Sequence, residues 1–306
     1  MFNKSIVVVG SSNTDMVVRT DRFPAPGETV LGGDFLMTPG GKGANQAVAA
    51  ARLGGNVVFV CKIGNDLFGS QSAELFKKEG IDVSNILLDN ENPSGVALIT
   101  VDKKAENSIV VASGANGALL PNDVMYLEDV LTKGSFVLMQ LEIPVETVES
   151  VAALARRIGA YVVLNPAPAC ELSEDIYKNL EIITPNEKEA SMIAGIGVHD
   201  LDSAKKAAEI IYLKGVKHVV ITMGAKGSLV YDGKSFSHIK AQSVVAVDTT
   251  AAGDVFNGAL VVALNEGKCI VEAAEFASKA SAIAVTRLGA QASAPYRREI
   301  MGEVSK

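Results

Sequence analysis

From residue 57 onward, apolar runs of strand length alternate with longer runs of helical period, and that alternation admits few architectures. Strands are expected over 57–63, 136–140, 161–164, 181–184 and 218–223. Helices are expected over 66–79, 121–131, 145–158, 187–194 and 203–214. A strand that returns parallel to its neighbour after a helix must cross over, almost always right-handed, and the helices then cover both faces of the sheet. Residues 6–9, Ile-Val-Val-Val, fit a strand buried on both sides. The expected fold class is therefore α/β, a doubly wound, mostly parallel central sheet flanked by helices. Strand after strand ends in a polar residue or a glycine: Asn13, Glu142, Asn165, Asn186, Gly224. Ligands of such sheets bind beyond the carboxyl ends of the strands, so these residues share the edge where a site belongs.

Two stretches break the alternation. Short β-prone pieces at 16–18, 29–31 and 34–37, and again at 96–101 and 108–111, suggest a small separate sheet. We read 1–306 as a single domain carrying a discontinuous β lid from about 16–38 and 94–112. The lid needs its open face covered, by substrate or by a second subunit. Nearly half of the 306 residues are apolar (48%), enough for a large core without staples. A net charge of −7 with no basic patch argues against nucleic-acid or membrane-surface partners. The start shows no secretory signal, no apolar run reaches the length of a membrane span, and three widely spaced cysteines suit a reducing, cytoplasmic setting. The three histidines lack metal-ligand spacing.

Four segments carry candidate chemistry. In 248–260, Asp-Thr-Thr-Ala-Ala-Gly-Asp-Val-Phe-Asn-Gly-Ala-Leu, a β-rich run at 244–247 leads into a helix of small residues. Its first N–H groups attract anions, yet Asp254 stands beside them. Asp254 is either a helix cap or a base working next to a bound phosphate. In 39–46, Pro-Gly-Gly-Lys-Gly-Ala-Asn-Gln opens a helix over 44–53, with neither P-loop nor dinucleotide spacing. It is either a tight turn or a close backbone approach to a ligand. Residues 222–228 make a hairpin turn or a loop against a nucleotide. After a small-residue helix at 273–285, the irregular run 286–293 has carbonyls to offer a cation. Asn13 and Asp15 either hold sugar hydroxyls or build an Asx turn.

Together, Gly40–Ala47 with Gly54 and Gly64, and Asp248–Asp254 with Asn257–Leu260, resemble the two signatures of the PfkB (ribokinase-like) carbohydrate kinases. The resemblance spans essentially the whole chain; Val255, where the family usually has Thr, is a small departure. It implies ATP-dependent phosphorylation of the 5-hydroxyl of D-ribose, with Asp254 as base. It implies sugar binding by Asn13, Asp15, Gly41, Lys42, Asn45 and Glu142, and an anion hole from the amides of Ala251, Ala252 and Gly253. ATP would be lined by Asn186, Thr222, Gly224, Gly227, Gly253 and Ser278. Mg²⁺ would sit near Asn186 and Glu189 through water. K⁺, as monovalent activator, would bind Asp248, Thr250, Ala284, Arg287, Gly289 and Ser293. A homodimer through the lid is implied as well. The competing readings are a related deoxyribose, fructose or nucleoside kinase, a non-catalytic sugar or nucleotide sensor, and a dinucleotide-dependent dehydrogenase. A base pocket is poorly provided for by a chain with no Trp, and the dehydrogenase lacks its fingerprint loop.

Overall fold

Strand β1 (Ile6–Val9) is wholly buried, and its alternation divides the core in two. Ile6 and Val8 pack with one apolar cluster, Val7 and Val9 with the other. The computed structural model describes residues 4–104 and 106–302; the first three residues, position 105 within the second lid segment and the last four residues lie outside them. In chain order the further strands are β2 (Asn13–Arg19), β3 (Phe35–Gly40), β4 (Val57–Gly64), β5 (Ile86–Asp89), β6 (Gly95–Val101), β7 (Asn107–Ala112), β8 (Phe136–Met139), β9 (Tyr161–Leu164), β10 (Ile182–Ile183), β11 (His218–Thr222), β12 (Ser228–Tyr231) and β13 (Phe236–Ile239). The helices are α1 (Lys42–Arg52), α2 (Leu67–Lys78), α3 (Leu127–Val130), α4 (Val145–Ile158), α5 (Glu174–Tyr177), α6 (Glu187–Ala194), α7 (Leu201–Leu213), α8 (Ala252–Asn265), α9 (Ile270–Ala284) and α10 (Arg297–Ile300).

The central sheet has nine strands in the order β13-β12-β11-β10-β9-β8-β1-β4-β5. It is parallel from β11 to β5, and β12 and β13 add an antiparallel edge. Helices α1, α8 and α9 lie over one face; α4 and α7 contribute to the cluster on the other. A separate four-stranded sheet, β3-β2-β6-β7, stands apart from it. Its strands β2 and β6 run parallel, and the two outer pairs run antiparallel. No helix among the described residues is long and apolar enough to cross a membrane.

Several elements differ from expectation. The helix expected over 121–131 is a short 3₁₀ turn, Pro121–Val124, followed by α3. The Asp123 carboxylate accepts from the Leu120 N–H and from Lys62, both at 2.9 Å, which closes that turn early. Residues 29–31 form no strand, and Leu31 is 93% exposed. Residues 244–247 form no strand either. They find no neighbouring strand; the Val247 and Asp248 N–H groups instead both donate to the Val285 carbonyl, at 2.7 and 3.2 Å. Strands β5 and β13, both at edges of the central sheet, were not anticipated.

The crossing of α1 over α8 positions everything that follows. Gly258 makes it possible: a Cβ there would meet the Ala49 Cβ and the Gln46 carbonyl, each at 2.8 Å. We predict that Gly258→Ala forces the helices apart and costs about 1–3 kcal/mol. A lowered urea midpoint at unchanged m-value, measured on the purified protein, checks this.

Candidate active site

The sugar-side candidates come from four elements. Asn13 and Asp15 lie on β2, where the lid leaves the body. Gly41, Lys42 and Asn45 form the start of α1, and Gly41 takes a left-handed φ of 89° as its N-cap. A side chain at Gly40 would run into the Asp15 carboxylate, so glycine lets that acid lie against the backbone. Glu142 follows β8; its Oε2 accepts from Ser11 Oγ at 2.6 Å and from the Lys42 N–H at 2.9 Å. Asn13 Oδ1 accepts from Asn116 Nδ2 at 2.7 Å, which fixes which end of the Asn13 amide is free.

Asp254 sits in the first turn of α8 and is 5% exposed. Asn45 Nδ2 donates to its Oδ2 and Gln46 Nε2 to its Oδ1, both at 2.9 Å. It is thus held by α1 rather than turned back to cap its own helix. Burial raises its pKa, and Glu142 adds to that; Lys42, Gln46 and Asn45 work the other way. The same balance appears around Lys42. Burial pulls its pKa down, but Asp254, Glu142, Glu189 and Asp15 outweigh burial and the ammonium stays charged. Asp15 is pushed up to about 6, first by burial and then by Glu142 and Asp254. Four carboxylates around one ammonium make a site rich in acceptors, suited to a ligand that brings hydroxyl donors.

On the other side of α8 a cleft of about 780 Å³ opens. Asn186, Thr222, Gly224, Gly227, Gly253 and Ser278 all line it, together with Ala252 and Phe256. The 222–228 segment is a hairpin, with Thr222 and Ser228 paired across it, and Gly224, Ala225 and Gly227 of its turn line the cleft. The unpaired 244–247 stretch lines it too, through Val244 and Ala246. Ala251 is in the left-handed region (φ 58°), the one non-glycine there among the described residues, and it starts α8. Of the three anion-hole candidates, Ala252 donates its N–H to the Thr249 carbonyl at 3.2 Å.

Asn186 and Glu189 cap α6 reciprocally. Asn186 Oδ1 accepts from the Lys188 and Glu189 N–H groups, while Glu189 accepts from the Asn186 N–H and Nδ2. Around the 286–293 loop, the Asp248 carboxylate accepts from the N–H groups of Thr250 and Gly289, both at 2.9 Å. The Ala284 carbonyl accepts from the Arg287 N–H, Arg287 reaches out to Glu299, and Ser293 Oγ donates to the Ala290 carbonyl at 2.8 Å. Asp248 thus ties Thr250 to Gly289, while Ala284 with Arg287 and Ser293 with Ala290 form local turns of their own.

Several participants were not singled out from the sequence. Gln46 is fully buried and touches Asp254, and its neighbour Gln140 is buried as well; Asn165, expected at the site's edge, accepts from Gln46 at 3.1 Å. Gln46 was legible in principle, since it adjoins Asn45 in the glycine-lysine segment. Asn116 sits in a short 3₁₀ turn, Gly114–Ala118, with no sequence signal of its own, yet binds both Asn13 and the Ser12 backbone. Asn257 bridges Thr184 Oγ1 and the Gly253 carbonyl, at 2.6 and 2.9 Å.

The comparisons agree with this geometry. The model of the pfkB family of carbohydrate kinases matches residues 3–297. The chain is 47% identical over 298 residues to the ribokinase of Haemophilus influenzae, covering 97% of each. Its structure superposes on ribokinase from Thermotoga maritima with a TM-score of 0.90 at 41% identity, covering 98% of this chain and 99% of the other. It also superposes on Arabidopsis thaliana ribokinase complexed with ribose and ATP, with a TM-score of 0.91 at 30% identity and 98% coverage of both. The chain belongs to the pfkB family of carbohydrate kinases.

Proposed function

We propose that this chain transfers the γ-phosphoryl group of ATP to the 5-hydroxyl of D-ribose, giving ribose 5-phosphate and ADP. One observation carries the reading: a buried carboxylate, Asp254, is held by the sugar-side helix α1 at the mouth of a helix whose first residues line the nucleotide cleft. Asn13, Asp15, Gly41, Lys42, Asn45 and Glu142 hold the sugar by paired hydrogen bonds, which reject analogues lacking a hydroxyl. The 5-hydroxyl oxygen bonds to the γ-phosphorus as that phosphorus separates from the β–γ bridging oxygen, and the proton passes to Asp254. A carboxylate is a weak base toward an alcohol, so this transfer comes late, once the new bond has acidified the hydroxyl. The amides of Ala251 and Gly253 and the Lys42 ammonium stabilise charge on the moving phosphoryl group, the Ala252 N–H being turned to the Thr249 carbonyl.

Two ions belong to this reading. Each Glu189 oxygen takes an N–H from Asn186 and keeps an open lone pair. Burial raises its pKa, so a neighbouring cation would be welcome there. Mg²⁺ carried by ATP, reached through water by Asn186 and Glu189, would offset phosphate charge. A monovalent cation, K⁺, fits the all-oxygen set around Asp248, Thr250, Ala284, Arg287, Gly289 and Ser293. With the Arg287 side chain committed to Glu299, only its main chain is available to that set. There the ion would stiffen the turn that presents the anion-hole amides.

The small sheet acts as a lid over the sugar and as the contact between two subunits of a homodimer. Phe35, Leu36, Leu98, Ile109 and Val110 are more than half exposed on it, an apolar surface unusual for a monomer. Free cysteines and dependence on ATP support a cytoplasmic setting.

Three outcomes are expected. Asp254→Asn lowers kcat by about 10²–10⁴-fold while ribose affinity stays within about threefold, measured by coupled ATP consumption and calorimetry; retention of the parent rate removes the base. Protonating Asp15 costs the sugar an acceptor, so kcat/KM for ribose falls as pH drops below about 6. Asp15→Asn should flatten that limb, and a limb that persists unchanged assigns it to another group. Light scattering should report a dimer, and Val110→Lys, a change on the exposed lid, should shift it toward monomer.

A further inference from the structure

Three side-chain amides behind Asp254 have a single workable orientation, and a peptide carbonyl dictates it. The Thr184 carbonyl can only accept, so Asn165 donates Nδ2 to it at 3.1 Å and turns Oδ1 toward Gln46. Gln46 answers with Nε2 at 3.1 Å, and the same nitrogen donates to Asp254 Oδ1 at 2.9 Å. The other end of that amide, Gln46 Oε1, accepts from Gln140 Nε2. Gln140 is completely buried, and its own Oε1 has no partner. A Cβ on Gly10 would come within 2.2 Å of that oxygen, so the side chain fits only because residue 10 is glycine. An unpaired buried oxygen is costly, and a methionine would fill the space without one. The donor at 140 must therefore serve something else.

We propose that Gln140 and Gln46 form a polarity relay that keeps the N–H side of the Gln46 amide, rather than its carbonyl, against the carboxylate of Asp254. Gln140 is a positioning residue, since it acts only through Gln46. The inference rests on Asp254 being the base. The charged groups facing Asp254 are Lys42 from α1, Asp15 from β2, Glu142 from the segment after β8 and Glu189 from α6. Three of these four are acids that favour a protonated Asp254, so the two amide donors matter more here than on an open surface. A reversed Gln46 would set a carbonyl oxygen against a carboxylate, and Asp254 would take up a proton to make that contact.

Gln140→Glu keeps the shape and, once ionised, replaces the donor by an acceptor, so Gln46 Oε1 loses its donor and Nε2 is drawn from Asp254 toward 140 against the hold of Asn165. The acid limb of kcat, followed at saturating ribose and ATP, should move up by about one pH unit. Activity should recover to within about threefold of the parent at alkaline pH, and KM for ATP should stay unchanged. A pH-independent loss, or an unmoved limb, overturns the relay. A charge at 140 also acts directly on Asp254, so the same change is made on a Gln46→Met background. There the shift should largely vanish, and an equal shift in both backgrounds overturns the relay. Gln140→Met, which adds no charge, should move the limb the same way by less; if Gln140→Glu fails to fold, this variant decides, and an unmoved limb counts against the proposal. Asp254→Asn separates the two readings. If it keeps the parent rate, the base assignment fails. If it is inactive while the limb in Gln140→Glu stays put, the relay alone fails.

Discussion

A carboxylate held by donors where burial opposes its charge is the constraint on which this structure turns. Asp254 has almost no contact with solvent, and three other acids face the same small volume. Water is not there to solvate the charge, so the protein must. It does so with the Lys42 ammonium, with donors from Asn45 and Gln46, and with the positive end of α8. Each of these arrives from a different place in the chain, and the fold is the device that makes them meet.

The sheet supplies the frame. Its strands are parallel through the centre, so their carboxyl ends, and the polar residues that follow them, gather along one edge. Helix α1 then enters from the lid strand β3, and α8 from the 244–251 stretch, which is tied to the end of α9 at Val285. Because their crossing is close at Gly258, the first turn of α1 lies against the first turn of α8. Asp254 thus belongs to both helices, bonded to Asn45 and Gln46 of α1 while its chain neighbours Ala252 and Gly253 line the cleft. Tight packing at that crossing transmits small displacements directly to the acid, since interiors yield little.

Much of the frame was legible from residues alone. Unbroken apolar strands such as 6–9, with helical periods between them, leave little besides a doubly wound sheet. The glycine-lysine segment and the 248–254 segment carry their chemistry in local spacing, so Lys42, Asn45 and Asp254 stood out. The departures share one cause. Residues 244–247 are β-prone, yet a strand exists only where another strand lies beside it, and none does. Residues 121–131 have helical period, yet the bond from Asp123 to Lys62, across 61 positions, closes the turn first.

By itself, the sequence determined the class of fold, the edge on which the site lies and the acid at its centre, because these follow from periodicity and from neighbours a few residues apart. Only the tertiary structure decided which way that acid points and what holds it. Asn45 and Asp254 are 209 positions apart, and Gln46 and Gln140 are 94. A hydrogen bond over such a separation leaves no trace in local pattern; it exists only once the packed core has brought the two ends together.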